Sequence, residues 1–231
     1  MFTKFEKVEY RPSEEWFKKR IKFDDLEDDL REESMSFFNS AYPLVQPSYT
    51  LLMGNIENFK LHNEGSEEVY GEMDFFSKHY SGKMLKALKG VTTVFAYIIT
   101  CGMGLEEFDT SDYDEFLIDY WKDILKTNAM SRAQKECNVF VKNFLNVDSI
   151  SSVAPGTGEM QLWSITELSP LFNTITDHVE CDAHMVRDAY MLPNKTLCGL
   201  IFSSNKPYFS CCECPREHCP DRKVPFGWKE K

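Results

Sequence analysis

The stretch VTTVFAYIIT, residues 91–100, decides how this chain folds. β-Branched and aromatic residues dominate it, and Gly90 and Gly102 bound it, so it predicts a β-strand. Immediately before it, residues 81–89 read as a short helix with Met84, Leu85 and Leu88 turned inward. Further upstream, Pro43 and Pro47 punctuate the chain, and residues 47–61 look extended, with Ile56, Phe59 and Leu61 as the apolar members. The first 40 residues are helical in character, in two pieces, 14–23 and 23–38. Leu26, Leu30 and Phe37 or Phe38 form a stripe at helical spacing. The acidic run 24–29 is expected to be a solvated face, since no glycine-bearing loop of oxygen ligands accompanies it.

Downstream of the strand, residues 105–154 contain no Gly and no Pro. Tyr113, Phe116, Leu117, Tyr120, Trp121 and Ile124 recur at helical spacing, and Ala129, Ala133, Cys137, Phe140, Val141 and Phe144 continue the stripe past a kink expected near Asn128. Asp109, Thr110, Ser111 and Asp112 offer N-caps. A turn follows at 153–160, then a helix over 163–175, begun either by Ser164 with Glu167 as a capping box or by Ser169 with Pro170 at the first helical position. Two strands are expected at 184–192 and 196–203, joined as a hairpin through Pro193-Asn194-Lys195. Clustered strands with long helices predict an α+β fold with a mainly antiparallel sheet.

Bulk properties narrow the function. A 231-residue chain with 42% hydrophobic and 14% aromatic residues can build a core, so disorder is not expected. The formal net charge of −11 argues against a nucleic-acid partner, because phosphate binding needs clustered Lys and Arg. Residues 1–11 lack an apolar signal core, and no run approaches the roughly 20 apolar residues of a membrane span. The expected location is therefore cytoplasmic, with no membrane partner. There, eight cysteines are expected to be thiols or metal ligands rather than disulfides.

Four of the eight lie in SCCECPREHCPDR, residues 210–222. Cys211, Cys214 and Cys219 are spaced C-x2-C-x4-C, with Cys212 beside them. A C-x2-C pair suits one metal: a tight turn brings both sulfurs inward while backbone N–H groups point at the thiolates. Zinc, with Cys212, His218, Cys198 or Cys181 as fourth ligand, and an iron–sulfur cluster are the two metal readings. A reduced, metal-free tail is the alternative. A Cys211/Cys214 redox pair is a third, without a thioredoxin-like βαβ pattern around it. His62, His79, His178 and His184 are scattered, and no G-x-S-x-G, P-loop or dinucleotide motif occurs, so no catalytic residue is assigned.

Several stretches, in order, carry a likeness to a known family. LKGVTTVFAYIITCGMGLEE (88–107) resembles a strand ending in a Thr-x-Gly turn followed by a Leu-Glu pair. DYDEFLIDYWKDILKTNAMSRAQKE (112–136) resembles the family's long central helices. APGTGEMQLW (154–163) sits where it has a Ser-Pro-Gly-Tyr-Gly turn leading to Trp. RDAYMLPNKTLCGLIFS (187–203) is similar to its Met-x-Pro hairpin, and Cys211, Cys214, Cys219, Pro220 and Arg222 match the C-x2-C-x4-C-P-x-R ending of stand-alone members. The chain thus resembles the activation (reactivation) domain of cobalamin-dependent methionine synthase, in a stand-alone form, over residues 81–226 and more weakly over 1–80. The resemblance implies one α+β domain spanning 1–231, with a twisted, mainly antiparallel sheet, long helices and a cysteine-rich tail at 205–231.

That resemblance also implies chemistry. The family's domain binds S-adenosylmethionine and presents its methyl group to a corrinoid cobalt during reductive reactivation. Its ligand turn reads Arg-x-x-x-Gly-Tyr. Here the turn is Ser152 to Thr157, with Pro155, Gly156, Thr157 and Gly158 as candidate binding residues and Arg187 as a candidate carboxylate partner from the hairpin. Serine in the arginine's place removes a bidentate, charge-assisted grip worth about 1.5–3 kcal/mol. Two functions follow. One is an accessory protein of corrinoid-dependent methyl transfer, meeting cobalamin only through a corrinoid-binding partner. The other is a non-catalytic binding module on the same scaffold that has lost S-adenosylmethionine. The chain is too short to be a complete methionine synthase.

Overall fold

The computed structural model describes residues 1–65, 67–158, 162–204, 207–219 and 222–228. Met160 and Pro220, both in the stretches that carry the resemblance, lie outside them. The expected strand forms as β6 (Thr93–Thr100), buried along nearly its whole length. It sits in the middle of a five-stranded sheet made with β1 (Phe2–Lys7), β2 (Ser48–Asn55), β10 (Thr196–Ser203) and β7 (Ile150–Val153), in the order β1-β2-β6-β10-β7. Every pairing in it is antiparallel. The α+β, mainly antiparallel expectation holds.

The continuous apolar runs of β2, β6 and β10 are explained by cover on both faces. On one face, Leu51, Phe95, Tyr97, Ile99 and Ile201 pack against Ala133, Cys137 and Val141 of α3 (Glu115–Leu145). On the other, Leu52, Val94, Ala96, Ile98, Leu200 and Phe202 meet α4 (Leu168–Thr176). The same core includes Met73, Phe75 and Tyr80 of a three-stranded sheet, β3 (Glu57–Glu64), β4 (Glu67–Phe75) and β5 (Lys78–Gly82). Met84, Leu85 and Leu88 join it from a 3-10 helix (Lys83–Leu88), inward as expected but in a tighter winding.

α3 is one helix of 31 residues, with no break at Asn128. Its N-cap is Asp114, not the earlier Asp109 to Asp112: the carboxylate accepts from the N–H groups of Phe116 and Leu117 at 2.8 and 3.1 Å. The buried seam is Ile118, Trp121, Leu125, Ala129, Ala133, Cys137 and Val141. Phe116 is 90% exposed and Tyr120 50%, against expectation. The spacing found an apolar stripe, but the inward face is set by α1 (Glu14–Ile21) and α2 (Asp28–Ala41). Phe37 of α2 meets the Trp121 ring at 5.8 Å between centroids. Ala129 and Ala133, with no side chain beyond Cβ, let α3 lie close to its neighbours.

The expected hairpin of 184–192 with 196–203 does not form. Residues 184–192 fold on themselves, as β8 (His184–Arg187) against β9 (Tyr190–Leu192), while β10 pairs with β6 and β7. β10 is apolar on both faces and needs two covered sides, so it enters the sheet; the more polar 184–192 stays a surface ribbon. β1, β4 and β5 were not foreseen. No helix among the described residues is long and apolar enough to cross a membrane.

Candidate functional site

The turn after β7 explains its own sequence. Thr157 donates its N–H to Ala154 O at 3.3 Å, closing a four-residue turn with Pro155 second and Gly156 third. Gly156 has φ +75°, as a type II turn requires at that place. A β-carbon there would stand 2.4 Å from Ile165 Cδ1, so the tip of that side chain would have to move aside as well. Gly156 N–H is then held by Trp163 O at 3.0 Å. α4 begins through Ser164, whose hydroxyl accepts from Thr166 N–H, and a 3-10 turn Ile165–Glu167. Pro170 therefore falls within the first helical turn, where its missing N–H costs nothing.

A cleft of about 250 Å³ opens between this turn and the β8–β9 ribbon. Ala154, Pro155, Thr157, Ile165 and Leu168 form one side, Ala189, Tyr190, Met191 and Asn194 another, and Thr196, Leu197 and Cys198 of β10 the floor. None of these described lining residues carries a charge. Burial pushes the Cys198 thiol far up, with the neighbouring Cys181 adding to it, so it is a neutral, inert group at the floor. The sequence-derived candidates divide here. Pro155 and Thr157 line the cleft, while Gly156 shapes the turn and Gly158, at φ +74°, faces the tail. Ser152 is exposed on β7, opposite Ile201, and Arg187 is exposed on β8; neither lines the cleft. The candidate carboxylate partner, Arg187, is thus not brought to the cleft. Tyr190, Asn194 and the floor of β10 were missed, because reading 184–192 as one straight strand hid the bend that puts Tyr190 there.

Glu106 fixes the outer wall. Its carboxylate takes Lys126 Nζ of α3 at 2.8 Å and the Asn194 N–H at 3.2 Å. The Thr-x-Gly turn before it is equally structural. Gly102 N–H donates to Thr100 Oγ1 at 3.2 Å, and at φ +82° a β-carbon would lie 2.3 Å from Gln46 O. A wider groove of about 760 Å³ borders this turn, with Lys7, Glu107, Asp182 and His184 on its rim; Lys7 already meets Gln46 Oε1 at 3.4 Å.

The tail docks on the same region. Tyr208 donates its N–H to Ser151 Oγ at 2.8 Å and its hydroxyl to Glu213 Oε1 at 3.0 Å. Glu213 in turn pairs with Lys86 at 2.7 Å. Cys214 is buried; Cys211, Cys212 and Cys219 are half-buried, and His218 is exposed. The expected ligand set is not assembled. Among the described residues no three His, Cys, Asp or Glu side chains form a group that could hold a metal ion. Cys198 lies in the cleft and Cys181 borders the wider groove, so neither completes a site. The carbonyls of Cys211 and Cys214 instead converge on the Arg222 guanidinium. As arranged, these residues do not fit zinc or an iron–sulfur cluster.

No family model and no curated protein matches the chain. Among solved structures it is similar to a crystal structure of the MetH reactivation domain bound to AdoHcy, with a TM-score of 0.50. The identity is 11%, over 90% of this chain and 81% of that one, which is a likeness of fold.

Proposed function

We propose that the protein is a non-catalytic binding module whose cleft takes the uncharged, nucleoside-type part of an adenosyl ligand. The absence of charge among the described lining residues carries this reading. Apolar walls from Pro155, Ile165, Leu168 and Met191 suit a flat ring, Tyr190 stands half-exposed at the mouth to stack on it, and Thr157 and Asn194 offer polar groups to its edge. Its volume is below the roughly 300–1,000 Å³ of pockets for drug-sized ligands, so it suits a ring system and sugar rather than a whole cofactor. The AdoHcy named with the similar fold supports the adenosyl class.

Calorimetric titration with adenosine, S-adenosylhomocysteine and S-adenosylmethionine tests this. Without a carboxylate partner, the three should bind within about threefold of one another, since each 1.4 kcal/mol is tenfold in affinity. Tyr190→Ala should weaken all three together. No adenosine binding at millimolar concentration would overturn the reading. S-adenosylhomocysteine binding more than about tenfold tighter than adenosine would show that a charged grip survives.

The fold likeness favours a second reading, an accessory protein of corrinoid-dependent methyl transfer, a stand-alone relative of the reactivation domain. The β8–β9 ribbon would then face a corrinoid-binding partner, with Val186 and Tyr190 exposed on it. Given S-adenosylmethionine as methyl donor and a one-electron reductant, a purified corrinoid protein whose cobalt returns to the methylated state faster with this chain present, and not with Tyr190→Ala, would select this reading over the first.

A further inference from the structure

We infer that the C-terminal motif is an arginine clasp, in which the Arg222 guanidinium fills the centre that a metal would take in a cysteine knuckle. This clasp holds the tail against the turn that walls the cleft, and its link to the cleft rests on the function proposed above. Arg222 Nη1 donates to Cys211 O at 3.1 Å and Val224 O at 3.3 Å. Nη2 donates to Cys214 O at 3.0 Å and also to Arg216 O. One planar fork therefore ties carbonyls from both limbs of the loop, which a guanidinium can do and a single point charge cannot.

Two of the four sulfurs have contacts of their own. Cys211 Sγ accepts the Lys223 N–H at 3.4 Å. Cys214 Sγ lies beside Gly158, where a β-carbon would approach it to 3.9 Å. A metal knuckle gathers three or four such ligands about one centre, and among the described residues no such group forms. A divalent ion at the centre would also face the guanidinium, like charge against like. The motif's last residue, Arg222, is then its keystone. It acts as a positioning residue: closing the loop places Cys214 on the 154–158 turn and Glu213 on Lys86.

The test uses the full chain, purified with and without added zinc, and reads metal content by mass spectrometry and Cys214 alkylation by peptide mapping. The clasp predicts far less than one metal per chain and a protected Cys214 after chelation. Arg222→Ala should expose Cys214 to alkylation at least about tenfold faster. Arg222→Lys, which keeps the charge but not the fork, should behave likewise. Millimolar guanidinium added to Arg222→Ala should restore protection, and ammonium should not. A tightly held zinc or iron near one per chain would overturn the clasp. So would Cys214 equally protected in both variants. Adenosine affinity should fall with Cys214 exposure; exposure without any change in affinity would overturn the link to the cleft. Failure of adenosine to bind the unaltered protein would strike the proposed function, while the Cys214 readout still decides the clasp.

Discussion

Gly158 and Cys214 face one another across the seam between the cleft turn and the tail: a β-carbon on Gly158 would stand 3.7 Å from Cys214 Cβ and 3.9 Å from its Sγ. It would also crowd Leu162 Cδ1 at 3.0 Å. At φ +74° an L side chain is strained by about 1–2 kcal/mol before any contact is counted. Gly158→Ala should therefore lower Tm by several degrees, at about 2–4 °C per kcal/mol for a chain of this length. Gly90→Ala is the control. Its φ is +78° but nothing lies within 4 Å of the added carbon. The excess loss at Gly158 over Gly90, read by calorimetry, measures the crowding; equal losses would mean the seam tolerates a methyl group.

The Lys126–Glu106 pair should behave as a partly buried ion pair. Only 6% of the Lys126 side chain is exposed, against 21% for Glu106. Lys126→Met should cost about 2–3 kcal/mol in urea unfolding, under the 3–5 of a fully buried pair because Glu106 keeps some water. Glu106→Gln should cost at least as much, since it leaves the more deeply buried Lys126 ammonium without a counter-charge, although the amide oxygen can still accept the Asn194 N–H. A silent Lys126→Met would mean the pair contributes nothing.

Thiol accessibility should separate the cysteines into two sets. Cys101, Cys137, Cys198 and Cys214 are buried; Cys181, Cys211, Cys212 and Cys219 are half-buried. Burial pushes the Cys101 and Cys137 thiols up to about 12, leaving little thiolate at pH 8. A thiol reagent at pH 8 should titrate the half-buried set first and reach all eight only on unfolding. Rapid reaction of Cys137 would show that α3 opens easily.

Glu167 gives the fold a pH dependence of definite sign. Burial holds its carboxyl above the ordinary 4.5, and nearby His79 pulls it back in part. The folded state thus binds this proton more tightly than the unfolded chain. Its contribution is fully present below pH 4.5 and is lost as pH rises through the folded value. Glu167→Gln should stabilise the fold at pH 7, by less than about 1 kcal/mol because the group keeps contact with water. The gain should vanish at pH 4; a gain that persists there would point to a cause other than ionisation.

The sequence by itself determined the elements whose physics is local. β6 announced itself by β-branched and aromatic residues between two glycines, and β10 by its apolar run after the turn at Pro193-Asn194-Lys195. The Pro155-Gly156 turn was legible because proline presets the second position of such a turn and glycine suits the positive φ of the third. The antiparallel α+β class followed from the order of such segments. Tertiary structure decided what depends on partners distant in the chain. Phe116 and Trp121 share one helical pattern, yet only Trp121 has Phe37 to meet. Residues 184–192 alternate like a strand, but the sheet's interior was taken by the more apolar β10, so they bent into a ribbon and carried Tyr190 to the cleft. The cysteine spacing was plain to read, whereas the direction of each sulfur was not. Backbone carbonyls gathered round Arg222, and that choice rests on contacts which spacing alone does not encode.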